Sequence, residues 1–212
     1  MKRSIIIQLT SWLLILLIQA CNGQPKEEAK EVLNQERNNT TIKSIPLSKR
    51  DTSFSKIKKS IENKLGISSI ESGFKDLQIR IWKGFAHTDY VQLKVFTKID
   101  TSLSAQLYNL FLHYDKNFDS VVAVTKEVVT KQPRTGWVFF TDSLLKLDIL
   151  NLPDDSEIPN YNVSMDADAV TVEVASGNKY RVYSYSDVES LSKTIEQAKK
   201  MAQILKLIQD EF

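Results

Sequence analysis

The chain has 212 residues, with 28 Lys and Arg against 26 Asp and Glu, so its overall charge makes no case for nucleic acid or an anionic surface beyond what a local patch supplies. One cysteine excludes an internal disulfide and any cysteine-built zinc or iron–sulfur site. Six glycines leave no Gly-rich phosphate loop and no Gly-x-Ser-x-Gly elbow.

Lys2 and Arg3 precede an apolar stretch from Ile5 to Ile18, interrupted by Gln8, Thr10 and Ser11, and then comes Gln19-Ala20-Cys21. A positive start, a short apolar run and a small residue outline a secretory signal peptide. The run is shorter than the roughly 20 apolar residues of a spanning helix and carries polar positions, which favours a leader over a permanent span. Ile18-Gln19-Ala20-Cys21 resembles the bacterial lipobox, in which the cysteine is acylated and becomes the first residue of the mature chain. The resemblance implies removal of residues 1–20, lipid attachment at Cys21 and no thiol left for catalysis. One acyl chain gives only marginal membrane binding; bacterial lipoproteins carry three, which implies a stable anchor. Loss of Lys2 and Arg3 brings the 28 basic residues to 26, equal to the acidic count.

Residues 21–52 are expected to form the anchor and a polar tether, since "NGQPKEEAKEVLNQERNNTTIKSIPLSKRD" is charged, poor in large apolar residues and without a sustained period. Lys26-Glu27-Glu28 resembles the Lys-acidic-acidic export signal of surface lipoproteins in Bacteroidota, although it lies farther from the cysteine than is usual there. The folded domain is expected over 53–212.

In "TSFSKIKKSIENKLGI", Phe54, Ile57, Ile61 and Leu65 recur at spacings of three and four, which predicts an amphipathic helix ended by Gly66, with Lys56, Lys58, Lys59 and Lys64 on its solvated side. Period-two alternation around Ile79 and Val95 predicts two strands, and "SAQLYNLFLHYD" and "SVVAVTKEVVTK" predict two longer ones, an antiparallel meander of four. "GWVFFTDSLLKLDILNLP" suits a helix with Trp137, Phe140, Leu144 and Leu147 on one side, stopped by Pro153, with two short strands as the alternative. "DAVTVEVASGNKYRVYSYS" reads as a hairpin turning at Ser176-Gly177-Asn178. Asp187 is then expected to cap a long terminal helix with Leu191, Ile195, Ala198, Ala202, Leu205, Ile208 and Phe212 as its stripe. The order predicts a single α+β domain: a mainly antiparallel sheet of about six strands, covered by helices on one face, with a long C-terminal amphipathic helix.

Candidate chemistry is sparse, and no catalytic residue, metal ligand or cofactor is assigned. His87 and His113, the only histidines, are followed by Thr88-Asp89 and Tyr114-Asp115, without ligand spacing. Asp115-x-Asn117-x-Asp119 opens like a calcium loop but has Ser120 and Lys126 where Gly and Glu are required, so it reads as a hairpin turn. Asp166, Asp168, Asp154, Asp155 and Glu157 are carboxylates of polar loops, expected to be solvated.

The surface residues expected to bind a partner are Arg80, Trp82 and Phe96 on the first two strands and Arg181, Tyr183 and Tyr185 on the late hairpin, since Trp, Tyr and Arg dominate protein interfaces. Helices covering the second face would instead make them core. The full pattern of lipobox, tether, Ile-Arg-Ile-Trp strand, Trp-initiated helix ending in Leu-Pro and Tyr-rich hairpin resembles uncharacterised lipoproteins of Bacteroidota. This implies an envelope location, lipid-anchored at the outer membrane on either face, and no particular activity. The expected function is a non-enzymatic, anchored binding or accessory domain for a protein partner. The alternatives are an envelope hydrolase with a carboxylate or His-carboxylate site and a glycan-binding surface lipoprotein.

Overall fold

The computed structural model describes residues 51–84, 89–117, 120–164 and 167–212. Six strands, β1 (Phe74–Lys83), β2 (Tyr90–Ile99), β3 (Ser102–Tyr114), β4 (Val121–Lys131), β5 (Ala169–Gly177) and β6 (Lys179–Ser186), form one sheet in the order β4-β3-β2-β1-β5-β6. Every neighbouring pair is antiparallel. The helices among the described residues are α1 (Asp51–Leu65), α2 (Trp137–Lys146), α3 (Val188–Leu191) and α4 (Glu196–Glu211), with a 3-10 turn at Asp155–Glu157. This is the α+β class, with the antiparallel sheet and C-terminal helix that the patterning predicts.

Successive side chains of a strand point to opposite faces, and β1 is apolar or buried on both. Ile79 and Ile81 meet Phe96, Val172 and Val174 on the side where α2, α3 and α4 pack through Phe140, Leu144, Val188, Met201, Ile204 and Ile208. Trp82, Leu93 and Val95 on the other side meet Ile61 and Leu65 of α1. Helices therefore cover both faces of the sheet around β1, not one. Fully burying an Ile or Leu side chain contributes about 1.5–3 kcal/mol, so Ile61 and Leu65 alone account for much of the docking of α1.

Two helix boundaries differ from the sequence expectation. α2 ends at Lys146, well before Pro153, and the chain turns through Asp148 in the left-handed region (φ 64°). The C-terminal stripe is broken: α3 is a single turn, Ile195 adopts an extended conformation, and α4 starts at Glu196. Asp187 is itself left-handed and makes no side-chain cap; its carboxylate accepts a hydrogen bond from Ser164 Oγ at 3.3 Å. Gly73 has φ 107°, and a Cβ there would lie 2.1 Å from the Gly177 carbonyl oxygen. Only glycine lets the entry to β1 pass so close to the β5–β6 turn.

Candidate functional site: an open sheet edge

The six residues expected to form a binding patch are all in the interior. Arg80, Trp82, Phe96, Arg181, Tyr183 and Tyr185 are buried, the least so Phe96 at 6 % exposure. Arg80 and Trp82 lie under α1, while Phe96, Tyr183 and Tyr185 belong to the core beneath α2 and α4. Helices on both faces are the physical reason.

Beneath α1 lies a buried ionic cluster. Lys58 Nζ, 1 % exposed, donates to Glu173 and Glu71, each at 2.8 Å. Glu173, fully buried, also accepts from Trp82 Nε1 and from the Tyr180 hydroxyl, both at 2.7 Å. One turn along α1, Glu62 accepts from Arg80 Nη1 at 2.6 Å, and Arg80 further donates to Gln78 and to the Ser68 carbonyl. Burial pulls the Lys58 ammonium down, but the carboxylates of Glu173, Glu71 and Glu62 outweigh it and hold its pKa above the ordinary value. For Glu62 burial prevails, and its pKa is raised despite Lys58 and Arg80. Lys58 is thus not on a solvated side, as its place in the charge run implied. A pocket of about 250 Å³ opens beside this cluster, but the Arg80 guanidinium that lines it is already bound by three protein partners.

Arg181 stacks on the Tyr183 ring at 5.3 Å and donates to the Leu152 carbonyl. The Tyr183 hydroxyl donates to the Ile149 carbonyl at 2.5 Å. These side chains clasp the 147–155 segment to β6, and the clasp has a second component. Asp154 Oδ2 accepts the backbone N–H of Ser184 at 2.8 Å, and Asp155 Oδ2 that of Ser186 at 3.1 Å. Asp154 also closes a capping box on the 3-10 turn with Glu157. Both aspartates are buried, which corrects their reading as solvated loop carboxylates. They satisfy donors that an edge strand otherwise leaves open.

Among the described residues the opposite edge has no such cover. β4 is 11 residues long and is exposed from Thr125 to Lys131. In an antiparallel pair the residues bonded to one neighbour alternate with those facing the other. Leu112 N–H donates to the Asp89 carbonyl, so even-numbered residues of β3 bond toward β2 and odd-numbered ones toward β4. Through the pairs Leu107↔Val129, Asn109↔Glu127 and Phe111↔Thr125, the odd residues of β4 point inward. The backbone N–H and C=O groups of Val124, Lys126, Val128 and Thr130 therefore point outward, and no described backbone segment pairs with them.

Among the described residues the face beside this edge carries exposed apolar area as well. There Phe111, 51 % exposed, packs on Tyr90 with ring centroids 5.1 Å apart. A polar ladder crosses three strands there: Gln92 donates to the Tyr90 hydroxyl at 3.0 Å, that hydroxyl donates to Asn109 Oδ1 at 2.8 Å, and Asn109 Nδ2 donates to Glu127 at 3.3 Å. α2 also exposes Val138 and Phe139, but the two are sequence neighbours on a helix and do not extend the sheet surface.

His113 is exposed on the same face as Phe111, its Nε2 3.0 Å from Thr125 Oγ1. Asp115 accepts from the Ser120 hydroxyl across the β3–β4 turn at 2.9 Å. Among the described residues no three or more His, Cys, Asp or Glu side chains are placed to hold a metal ion. Cys21, the Lys26-Glu27-Glu28 segment, His87, Asp119 and Asp166 lie outside the described residues.

Sequence reasoning missed the edge because it placed the site on aromatic content. The available signal was β4 itself, where "VVAVTKEVVTK" is strongly β-forming yet lacks the clean alternation of a half-buried strand. No protein-family model, no curated protein and no solved structure matches this chain. What the geometry defines is an α+β domain with one sheet edge capped by two aspartates and, among the described residues, the other unpaired.

Proposed function

We propose that the protein is a lipid-anchored binding domain of the bacterial envelope, held at the outer membrane through Cys21, that captures an extended segment of a protein partner on the edge of β4. The observation that carries this reading is the asymmetry of the edges: Asp154 and Asp155 occupy the outward β6 donors of Ser184 and Ser186, whereas among the described residues β4 offers four outward-facing backbone positions with no such cap. An extended peptide added to an exposed edge draws affinity from main-chain hydrogen bonds and specificity from alternate side chains. Phe111 and Tyr90 supply apolar area next to that edge. The hydrolase alternative has no comparable support, because His113 rests against a threonine on an exposed face. The glycan alternative loses its basis with the burial of Trp82.

The test is a proline scan along β4. Val128→Pro removes an outward N–H, and proline is tolerated at edge positions whose N–H faces solvent; Val129→Pro removes a ladder bond to β3 and disturbs the fold. A photo-crosslinker at Thr130 should join the chain to an envelope protein in intact cells. Val128→Pro should abolish that adduct while leaving the circular dichroism spectrum unchanged. An adduct that survives Val128→Pro excludes edge pairing.

A further inference from the structure

The charges on β4 indicate which strand it accepts. Lys126 and Glu127 are adjacent and exposed, so they lie on opposite faces of the sheet at mid-strand. Two copies of β4 pair antiparallel only about a two-fold axis perpendicular to the sheet, which keeps each face continuous and sets even positions opposite even ones. The register that overlaps all of Val121–Lys131 centres on Lys126 and sets it against its own counterpart. The next register toward the C-terminus sets Glu127 against Glu127. The next one toward the N-terminus centres on Thr125 and sets Lys126 opposite Val124 and Glu127 opposite Ala123, so that no charge meets its opposite. Like charges directly opposed across strands are destabilising, and charged edge positions are a known guard against self-association.

We infer that β4 is built for a heterologous strand, an extended antiparallel protein segment with β-branched residues flanking a basic residue that is followed directly by an acidic one. This rests on the edge-pairing reading above and adds the partner's chemistry. In the antiparallel orientation, which all pairs of this sheet use and which is the more stable per residue, the basic side chain lies opposite Glu127 and the acidic one opposite Lys126. Glu127 dominates the choice. Its backbone bonds β3, so toward the incoming strand it sits at a non-hydrogen-bonded site, where facing side chains approach most closely. Asn109 Nδ2, 3.3 Å from its carboxylate, orients it from behind. Beside it, Thr125 and Val129 face the β-branched positions two residues away on the same face of the incoming strand.

Two fluorescent octapeptides of equal composition test this on the full chain in detergent at low ionic strength, where exposed pairs are least screened. They are Thr-Val-Thr-Lys-Glu-Thr-Val-Thr and Thr-Val-Thr-Glu-Lys-Thr-Val-Thr, read by anisotropy. The Lys-Glu peptide should bind about tenfold more tightly, since two cross-strand pairs change sign between the two. The doubly reversed variant K126E/E127K should invert the preference. Equal affinities that Val128→Pro abolishes would overturn the charge inference and leave edge pairing standing. A preference for Glu-Lys would overturn the antiparallel orientation. Binding by neither peptide would overturn the inference together with the edge-pairing reading.

Discussion

Asp154 stands beside Ser184 as a substitute for a seventh strand: its Oδ2 accepts the backbone N–H at 2.8 Å, where a neighbouring carbonyl would otherwise sit. Asp155 repeats the arrangement at Ser186. The β6 edge is thereby capped at Ser184 and Ser186 by side chains, without a paired backbone.

Asp154→Ala together with Asp155→Ala should cost about 2–4 kcal/mol, since a buried donor left without its acceptor costs roughly 1–3 kcal/mol. Urea unfolding should show the loss, and light scattering should show self-association that the parent chain lacks, because β6 becomes a second open edge. Unchanged scattering would mean that the caps contribute to stability alone.

Lys58→Met should destabilise the domain by about 3–5 kcal/mol, because it leaves Glu173 buried and charged without its cation. Adding Glu173→Gln to Lys58→Met should recover part of that loss, since an uncharged pair carries no unpaired ion. A double variant less stable than Lys58→Met in urea would show that Glu173 is held chiefly by Trp82 and Tyr180.

Alkaline pH should unfold the protein cooperatively. Lys58 has its folded pKa raised above the ordinary 10.5 by Glu173 and Glu71, against the pull of burial. Its contribution is therefore whole below 10.5 and is lost as pH rises through the folded value. Tyr180 and Tyr183 are held far above 10.0, first by burial and then by Glu173 and Tyr185 respectively. The unfolded chain alone ionises them as pH passes 10.0, which favours unfolding in the same direction. The ionisation of Tyr180 and Tyr183, read by tyrosinate absorbance in variants that keep only these two, and the circular dichroism should change together above pH 10; their ionisation with the fold intact would contradict this.

If Cys21 is acylated as proposed, a radiolabelled fatty acid fed to cells should be incorporated into the chain and Cys21→Ala should abolish that label; label retained on the variant would contradict the anchor. On intact cells, added protease distinguishes the two faces: digestion places the domain outside, and protection until the outer membrane is opened places it in the periplasm.

The order of elements was legible because each has a strong local period: three and four in α1, two in β1 and β2, and a Ser-Gly-Asn turn between β5 and β6. What covers what was not. Lys58 and Glu62 share a helix face with Ile61 and Leu65, yet a charge at such a position reads as a boundary of the apolar stripe. Only the partners Glu173 and Arg80, 115 and 18 residues away, make it interior. The same holds for Trp82 and Tyr183, whose alternation pattern does not say which face a distant helix will cover. Asp154 and Asp155 sit in a polar loop of ordinary composition, and their role depends on the register of β6 against that loop.

The strand order has a further consequence for how the chain is made. β1 to β4 form a meander of near neighbours, but β1 meets β5 only through contacts such as that of Trp82 with Glu173, 91 residues downstream. Distant pairings form late because their loop entropy must be overcome first. Until β5 and β6 are synthesised and docked, β1 is an edge strand too, and the nascent meander has two open sides. In the finished fold β5 covers the free side of β1 and the aspartates cap Ser184 and Ser186 of β6, so that among the described residues β4 is the edge that forms early and gains no paired strand afterwards.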